Sequence, residues 1–229
     1  KMAVLDQILG ATKAALPAVR SRVDELRHAA ATRVPAPPFA RSLRGDRVAL
    51  IAEVKRRSPS AGAINEGLDP TSLAAAYATG GATAISVLTN ETHFGGSMHD
   101  LERVTATTDL PILRKDFILD EVQLLEARAA GASAVLLIVR ALGQAELQRL
   151  IAQAATHELD ALVEVHTAEE RDRALDAGAA VVGVNARDLD DFSIDVGAAL
   201  ELVATLPSGI IAVAESGMAT EADVERAAA

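Results

Sequence analysis

The stretch Glu121–Val139, EVQLLEARAAGASAVLLIV, holds one complete unit of the fold. Its first half puts Val122, Leu125 and Ala129 on one face at helical spacing. Gly131-Ala132 follows, and glycine takes the left-handed C-cap conformation without steric cost. The remainder, Ala134–Val139, is an unbroken apolar run, the pattern of a strand buried on both faces of a parallel sheet.

The same rhythm extends outward in both directions. Apolar runs occur at Val48–Val54, Ala84–Leu88, Pro111–Leu113, Ala134–Val139, Ala161–Val165, Val181–Val184 and Ile210–Ala214. They lie about 27 residues apart, the length of a strand, a loop and a helix. Between two of them, Leu147, Leu150 and Ile151 share a helical face, and Gly80-Gly81-Ala82 and Gly178-Ala179 repeat the glycine stop. Successive strand–helix units imply a parallel sheet, either doubly wound or closed as a (β/α)8 barrel. Polar residues end several runs: Glu53 and Lys55, Lys115, Glu164, Asn185, then Glu215 and Ser216. A barrel gathers many strand ends on one face, whereas an open sheet uses mainly its switch point, so the barrel is favoured.

The expected fold is therefore α/β, a TIM barrel over residues 46–229 behind an N-terminal helical extension over residues 1–45. In the extension Leu5, Ile8 and Leu9 share a face, Pro17 is expected to start a second helix running to about Ala31, and Pro35-Ala36-Pro37-Pro38 is a connector. Lys1, ahead of Met2, is read as an addition outside the fold. A helix is expected near Ala219–Ala229, with Glu221 and Asp223 in its first turn. The positions from Val48 to Ala229 are too few for eight units of about 27 residues. Strand eight and its helix are therefore expected to be missing from this chain.

Composition narrows the function. The 229 residues carry 22 basic and 32 acidic side chains, a net charge of −10, which argues against a nucleic-acid partner. The aromatics are one Tyr and four Phe, too few for a base-stacking surface. Without Cys there is no thiol catalysis, disulfide scaffold or Cys zinc site. Neither a signal peptide nor a membrane-length apolar run is present, so a cytoplasmic protein is expected. His28, His93, His99 and His157 show no metal-ligand spacing with carboxylates, and no metal is expected.

The polar strand ends carry the candidate chemistry. In Ile51–Ser60, IAEVKRRSPS, Glu53 and Lys55 are two apart and face the same way, where opposite charges offset each other's burial. The alternative is a strand end reaching solvent, with Arg56 and Arg57 as surface charge. Lys115, in Leu113-Arg114-Lys115-Asp116-Phe117, can act as a general acid, an anchor or a Schiff-base nucleophile, or be an exposed loop lysine. Glu164, inside Leu162–His166, is a candidate base or a structural ion-pair partner. His166, just beyond it, is read as a plain loop residue. Asn185 and Arg187 can hold a carboxylate or hydroxyls, or simply cap a turn. Ser216 and Gly217 can present backbone N–H groups to phosphate, or form an ordinary turn.

Together these segments resemble the indole-3-glycerol phosphate synthase family of tryptophan biosynthesis. The resemblance rests on IAEVKRRSPS (Ile51–Ser60), Ala84–Asn90 with Phe94-Gly95-Gly96-Ser97, PILRKDFI (Pro111–Ile118), Val135–Val139, Val163–His166, VGVNARDL (Val182–Leu189) and VAESGM (Val213–Met218). It implies closure of an indole ring on 1-(2-carboxyphenylamino)-1-deoxyribulose 5-phosphate, with loss of CO₂ and water and without a cofactor. Lys115 is then the general acid and Glu164 the base. Lys55 holds the substrate carboxylate and is a second candidate acid, and Glu53, Asn185 and Glu215 orient these groups. Ser58, Pro59, Phe94, Phe117, Arg187 and Leu189 contact substrate, the aromatic ring lying against Pro59, Phe94, Phe117 and Leu189. Ser216 and Gly217 supply half of the phosphate site, the other half belonging to strand eight. A phosphorylated small molecule is the expected partner, no membrane is involved, and a monomer is the expected state. A Schiff-base aldolase or phosphosugar isomerase on the same barrel stays open, as does an inactive truncated fragment.

Overall fold

The computed structural model describes residues 4–218 and 220–228. Residues 1–3, which include Lys1, and both ends of the expected Ala219–Ala229 helix lie outside them. Three helices come first: α1 (Val4–Arg20), α2 (Val23–Thr32) and the single turn α3 (Phe39–Ser42). Strand β1 (Ile51–Val54) follows, then a short antiparallel hairpin of β2 (Arg57–Ser58) and β3 (Gly62–Ala63). From there helices and strands alternate: α4 (Pro70–Thr79), β4 (Ala84–Leu88), α5 (Glu91–Phe94), α6 (Met98–Thr105), β5 (Ile112–Lys115), α7 (Glu121–Ala129), β6 (Ala134–Ile138), α8 (Gln144–Thr156), β7 (Asp160–Val165), α9 (Ala168–Asp176), β8 (Val181–Asn185), α10 (Val196–Val203), β9 (Ile211–Glu215) and α11 (Glu221–Ala228). A 3-10 turn, Val139–Ala141, links β6 to α8.

Seven strands form one parallel sheet in the order β1-β4-β5-β6-β7-β8-β9, and among the described residues β9 makes no ladder with β1. This is a TIM-like arrangement, a curled parallel sheet inside a layer of helices. Residues alternate in and out along each strand. Ala134, Leu136 and Ile138 of β6 join Leu113, Leu162, Val181 and Ile211 in the inner cluster. Val135 and Leu137 face the helices beside Val163, Val182, Leu124 and Leu147. The glycine stops are left-handed at Gly81, Gly131 and Gly178, with φ of 88°, 90° and 86°.

Leu5, Ile8 and Phe39 from the N-terminal helices also enter the inner cluster, and the backbone N–H of Ala40 donates to Asp160 at the start of β7 (2.7 Å). Phe39 is fully buried there. Phe39→Ala is expected to destabilise the protein by about 3–5 kcal/mol through the cavity it leaves. Urea unfolding should show a lower midpoint with an unchanged slope; an unchanged midpoint would mean this residue does not seal the inner cluster.

Two expectations about local structure fail. Pro17 does not begin the second helix: it lies inside α1, and the chain turns instead at Ser21 and Arg22. Pro17 cannot donate to the carbonyl four residues back, but Leu16 and Leu26 bury in one cluster with Val122 and Leu125, and that packing outweighs the lost bond. The first strand begins at Ile51 rather than Val48, because Val48 and Leu50 are 55 % and 54 % exposed beside the unpaired edge.

Candidate active site

The register brings the polar strand ends together. Glu53 pairs with Ser86, Leu88 with Lys115, Glu164 with Gly183 and Asn185 with Glu215. Each functional side chain falls on an inward-facing position near the C-terminal end of its strand. Glu53, Lys55, Lys115 and Glu215 line a cavity of about 690 Å³ together with Arg187, Ser216 and Gly217, whereas Glu164 and Asn185 do not line it. The cavity continues past Asp46–Leu50 to Val224 and Ala228, along the gap between β1 and β9.

Lys115 is the centre. Its Nζ lies 3.4 Å from Glu53 Oε2 and 3.7 Å from Glu215 Oε2. Burial alone would favour the neutral amine, but Glu53, then Glu215 and Glu164, hold its pKa well above that of an ordinary lysine. Glu53 also accepts from Lys55 Nζ (2.9 Å) and Ser86 Oγ (3.3 Å). Burial opposes its charge, yet Lys115 and Lys55 together bring its pKa down to about 2. Glu215 goes the other way, pushed up to about 8 by burial and then by the Glu164 charge, against the pull of Lys115. Lys115 is nearer to Glu53 than to Glu215, so Glu53 is the carboxylate whose charge is the better compensated.

Glu215 reaches this position only because residue 183 is glycine. A Cβ there would collide with Glu215 Oε1 and stand 3.2 Å from Leu162 Cδ1. Gly183→Ala is expected to displace Glu215 and lower turnover by about a hundredfold, since misplacement of 1 Å can cost that much. Steady-state kinetics on the folded variant check this, and full turnover would show that Glu215 is not needed where it stands.

Of the other predicted residues, Arg187, Ser216 and Gly217 line the cavity, and Ser58, Pro59, Phe94, Phe117 and Leu189 do not. Asn185 Oδ1 accepts from Ser216 Oγ (2.8 Å) and from the Arg187 backbone N–H (3.0 Å). Ser216 and Gly217 are both left-handed, with φ of 67° and 74°. Arg187 donates to Ser60 Oγ (3.0 Å), tying the β2–β3 hairpin to the loop after β8. Within that hairpin Ser58 Oγ accepts from the Ala61 N–H (3.1 Å), and Pro59 is exposed. Phe94 and Phe117 have ring centroids 6.3 Å apart, and both, with Leu189, pack on the inner cluster. Arg56 and Arg57 are not loose surface charge. Arg56 pairs with buried Asp100, and Arg57 donates to the carbonyls of Glu91 and Thr92 (2.8 Å each).

Sequence reasoning missed two groups. Arg114 faces the helices yet is buried, bonded to Thr89 (3.2 Å), the Gln123 carbonyl (2.8 Å) and Glu126 (2.8 Å). It ties β5, which carries Lys115, to α7. His166 is not a plain loop residue. Its side chain is only 4 % exposed, with Nε2 3.5 Å from Glu164 Oε1 and Nδ1 3.1 Å from Glu170 Oε2. Its spacing of two from Glu164 and four from Glu170 was the available signal.

Fold and site define a TIM-like barrel enzyme with a buried ammonium between carboxylates, suited to acid–base work on an anionic substrate. Similarity to known proteins narrows this. The family model for indole-3-glycerol phosphate synthase matches residues 5–229. The chain belongs to that family. It is 51 % identical to indole-3-glycerol phosphate synthase 1 of Streptomyces coelicolor over 95 % of this chain and 81 % of that protein. Against the synthase of Mycolicibacterium vanbaalenii it is 48 % identical, over 96 % of this chain and 82 % of that one. Among solved structures, 2-keto-3-deoxy-6-phosphogluconate aldolase from Zymomonas mobilis aligns with a TM-score of 0.59 at 15 % identity, covering 83 % of this chain and 81 % of that one, a likeness of fold alone.

Proposed function

We infer that this chain converts 1-(2-carboxyphenylamino)-1-deoxyribulose 5-phosphate to indole-3-glycerol phosphate, a carboxy-lyase step of tryptophan biosynthesis. The observation that carries the reading is the Lys115 ammonium, held charged between Glu53 and Glu215 at the inner mouth of the cavity. Residues 46–229 act as the catalytic body on the (β/α)8 plan, and residues 1–45 as a helical extension packed on it. The enzyme works in the cytoplasm as a monomer, takes no nucleic-acid partner, and needs neither metal nor cofactor.

The ring carbon bearing the carboxylate attacks the substrate ketone, and Lys115 protonates the oxygen that gathers charge. Loss of CO₂ restores the aromatic ring: the pair from the breaking C–CO₂ bond flows back into the ring, whose iminium nitrogen, formed as the amino-substituted ring attacked the ketone, is the electron sink. Glu164 then removes a proton, and a lysine protonates the departing hydroxyl, which leaves as water. Lys55, bonded to Glu53, anchors the substrate carboxylate. Glu53, Asn185 and Glu215 hold the reacting groups in place. Ser216 and Gly217 meet the phosphate with Ser58 and Arg187 nearby, and Phe94, Phe117, Pro59 and Leu189 take the ring.

Indole fluorescence appearing from the carboxyphenylamino-deoxyribulose phosphate is the direct test, and its absence with folded protein refutes the assignment. A Schiff-base aldolase needs a neutral amine, which the carboxylates around Lys115 oppose. Borohydride should therefore trap no covalent adduct.

A further inference from the structure

Glu164 is almost wholly buried, and the nearest group beyond it is an imidazole with no place in the reaction above. His166 follows the end of β7, and one carboxylate fixes its ring. Glu170 Oε2, in the first turn of α9, takes the His166 backbone N–H at 2.7 Å and lies 3.1 Å from Nδ1. Glu170 Oε1 takes Arg140 Nε at 3.0 Å. Burial opposes the charge on Glu170, but these donors hold its pKa at about 2, so it can only accept. Nδ1 must therefore carry a hydrogen, and in a neutral ring Nε2 then bears a lone pair. That Nε2 is buried, has no hydrogen-bond partner among the described residues, and faces Glu164 Oε1 at 3.5 Å. A buried nitrogen in this state calls for a reason. A bare lone pair gains nothing from a carboxylate, but it is an acceptor for a carboxylic acid.

We propose that His166 is a positioning residue for Glu164: with Nδ1–H committed to Glu170, its Nε2 receives the proton that Glu164 takes from substrate. The O–H bond on Glu164 breaks as the N–H bond on Nε2 forms. Glu164 returns to the carboxylate, and the imidazolium stands between two carboxylates until it loses the proton to solvent. The other charged groups around the ring are Arg140, behind Glu170, and Asp188 and Asp195, which line a small pocket with His166. Glu164 itself also acts electrostatically on Lys115 and Glu215. The inference rests on the base role given to Glu164 above.

Two measurements on the full chain test it. Long-range ¹H–¹⁵N spectra, with His166 assigned by loss of its signals in His166→Gln, should show the Nδ1–H form. The Nε2 resonance should move in Glu164→Gln while those of the other histidines stay. In turnover, His166→Gln should lower kcat by about tenfold or more at a KM within about twofold, with melting unchanged. If His166→Gln does not fold, Glu170→Gln keeps the side-chain shape and should release the tautomer and lower kcat likewise. An Nε2–H tautomer indifferent to Glu164, or wild-type kcat in a folded variant, overturns the proposal. The spectra need no turnover, so an inactive wild type would refute the assigned reaction and still leave His166 tested.

Discussion

Lys115→Met is expected to lower kcat by about a thousandfold or more while KM changes far less. A positioned general acid contributes about 10²–10⁴-fold, and here the same ammonium also meets the charge that develops on the ketone oxygen. A thousandfold loss corresponds to about 4 kcal/mol of transition-state stabilisation. Methionine keeps most of the volume, so the loss reports charge rather than a cavity. Glu53 keeps Lys55 at 2.9 Å in the variant, whereas Glu215 loses the cation 3.7 Å away and is driven further toward its protonated form. Steady-state kinetics at neutral pH check the result. A kcat within tenfold of wild type would remove Lys115 from the chemistry and leave Lys55 as the acid.

Glu164→Gln should cost about as much, and at a different step. Glutamine fills the same inner position but cannot take a proton, so closure and decarboxylation proceed and dehydration stalls. The expected signature is a drop in kcat of about a thousandfold with accumulation of the decarboxylated, still hydroxylated intermediate. Rapid quench with mass spectrometry would reveal a species one water heavier than the product. Were only unreacted substrate found, Glu164 would belong to ring closure. Glutamine keeps the volume and an acceptor oxygen toward Glu215, so the variant should melt close to wild type.

Much of this was legible before any coordinates, because two periodicities carry the fold. Alternation of two places Glu53, Lys115, Glu164 and Glu215 on inward positions once the strands are known, and the glycine stops mark where each strand begins. Groups whose purpose depends on residues far along the chain were not legible. Arg114 reads as a charge in the wrong place until Thr89, Gln123 and Glu126 converge on it from other elements. The partners of His166 were close in sequence, but imidazole is common in loops and Arg140, which fixes Glu170, follows the neighbouring strand β6, 30 positions away. Pro17 misled because local propensity lost to the packing of Leu16 and Leu26.

The N-terminal helices sit on residues made much later. Arg20 bonds Asp120 at 2.6 Å across 100 positions, Arg128 holds the carbonyls of Arg33 and Val34, and Leu16 and Leu26 bury with Val122 and Leu125. On a ribosome adding about 5–20 residues per second, α1 and α2 leave the exit tunnel about 5–20 s before α7 does. Throughout that wait their apolar stripe has no native surface to cover it. A nascent chain stalled between Thr32 and Asp120 is thus the form of this protein with the greatest need of a holding chaperone.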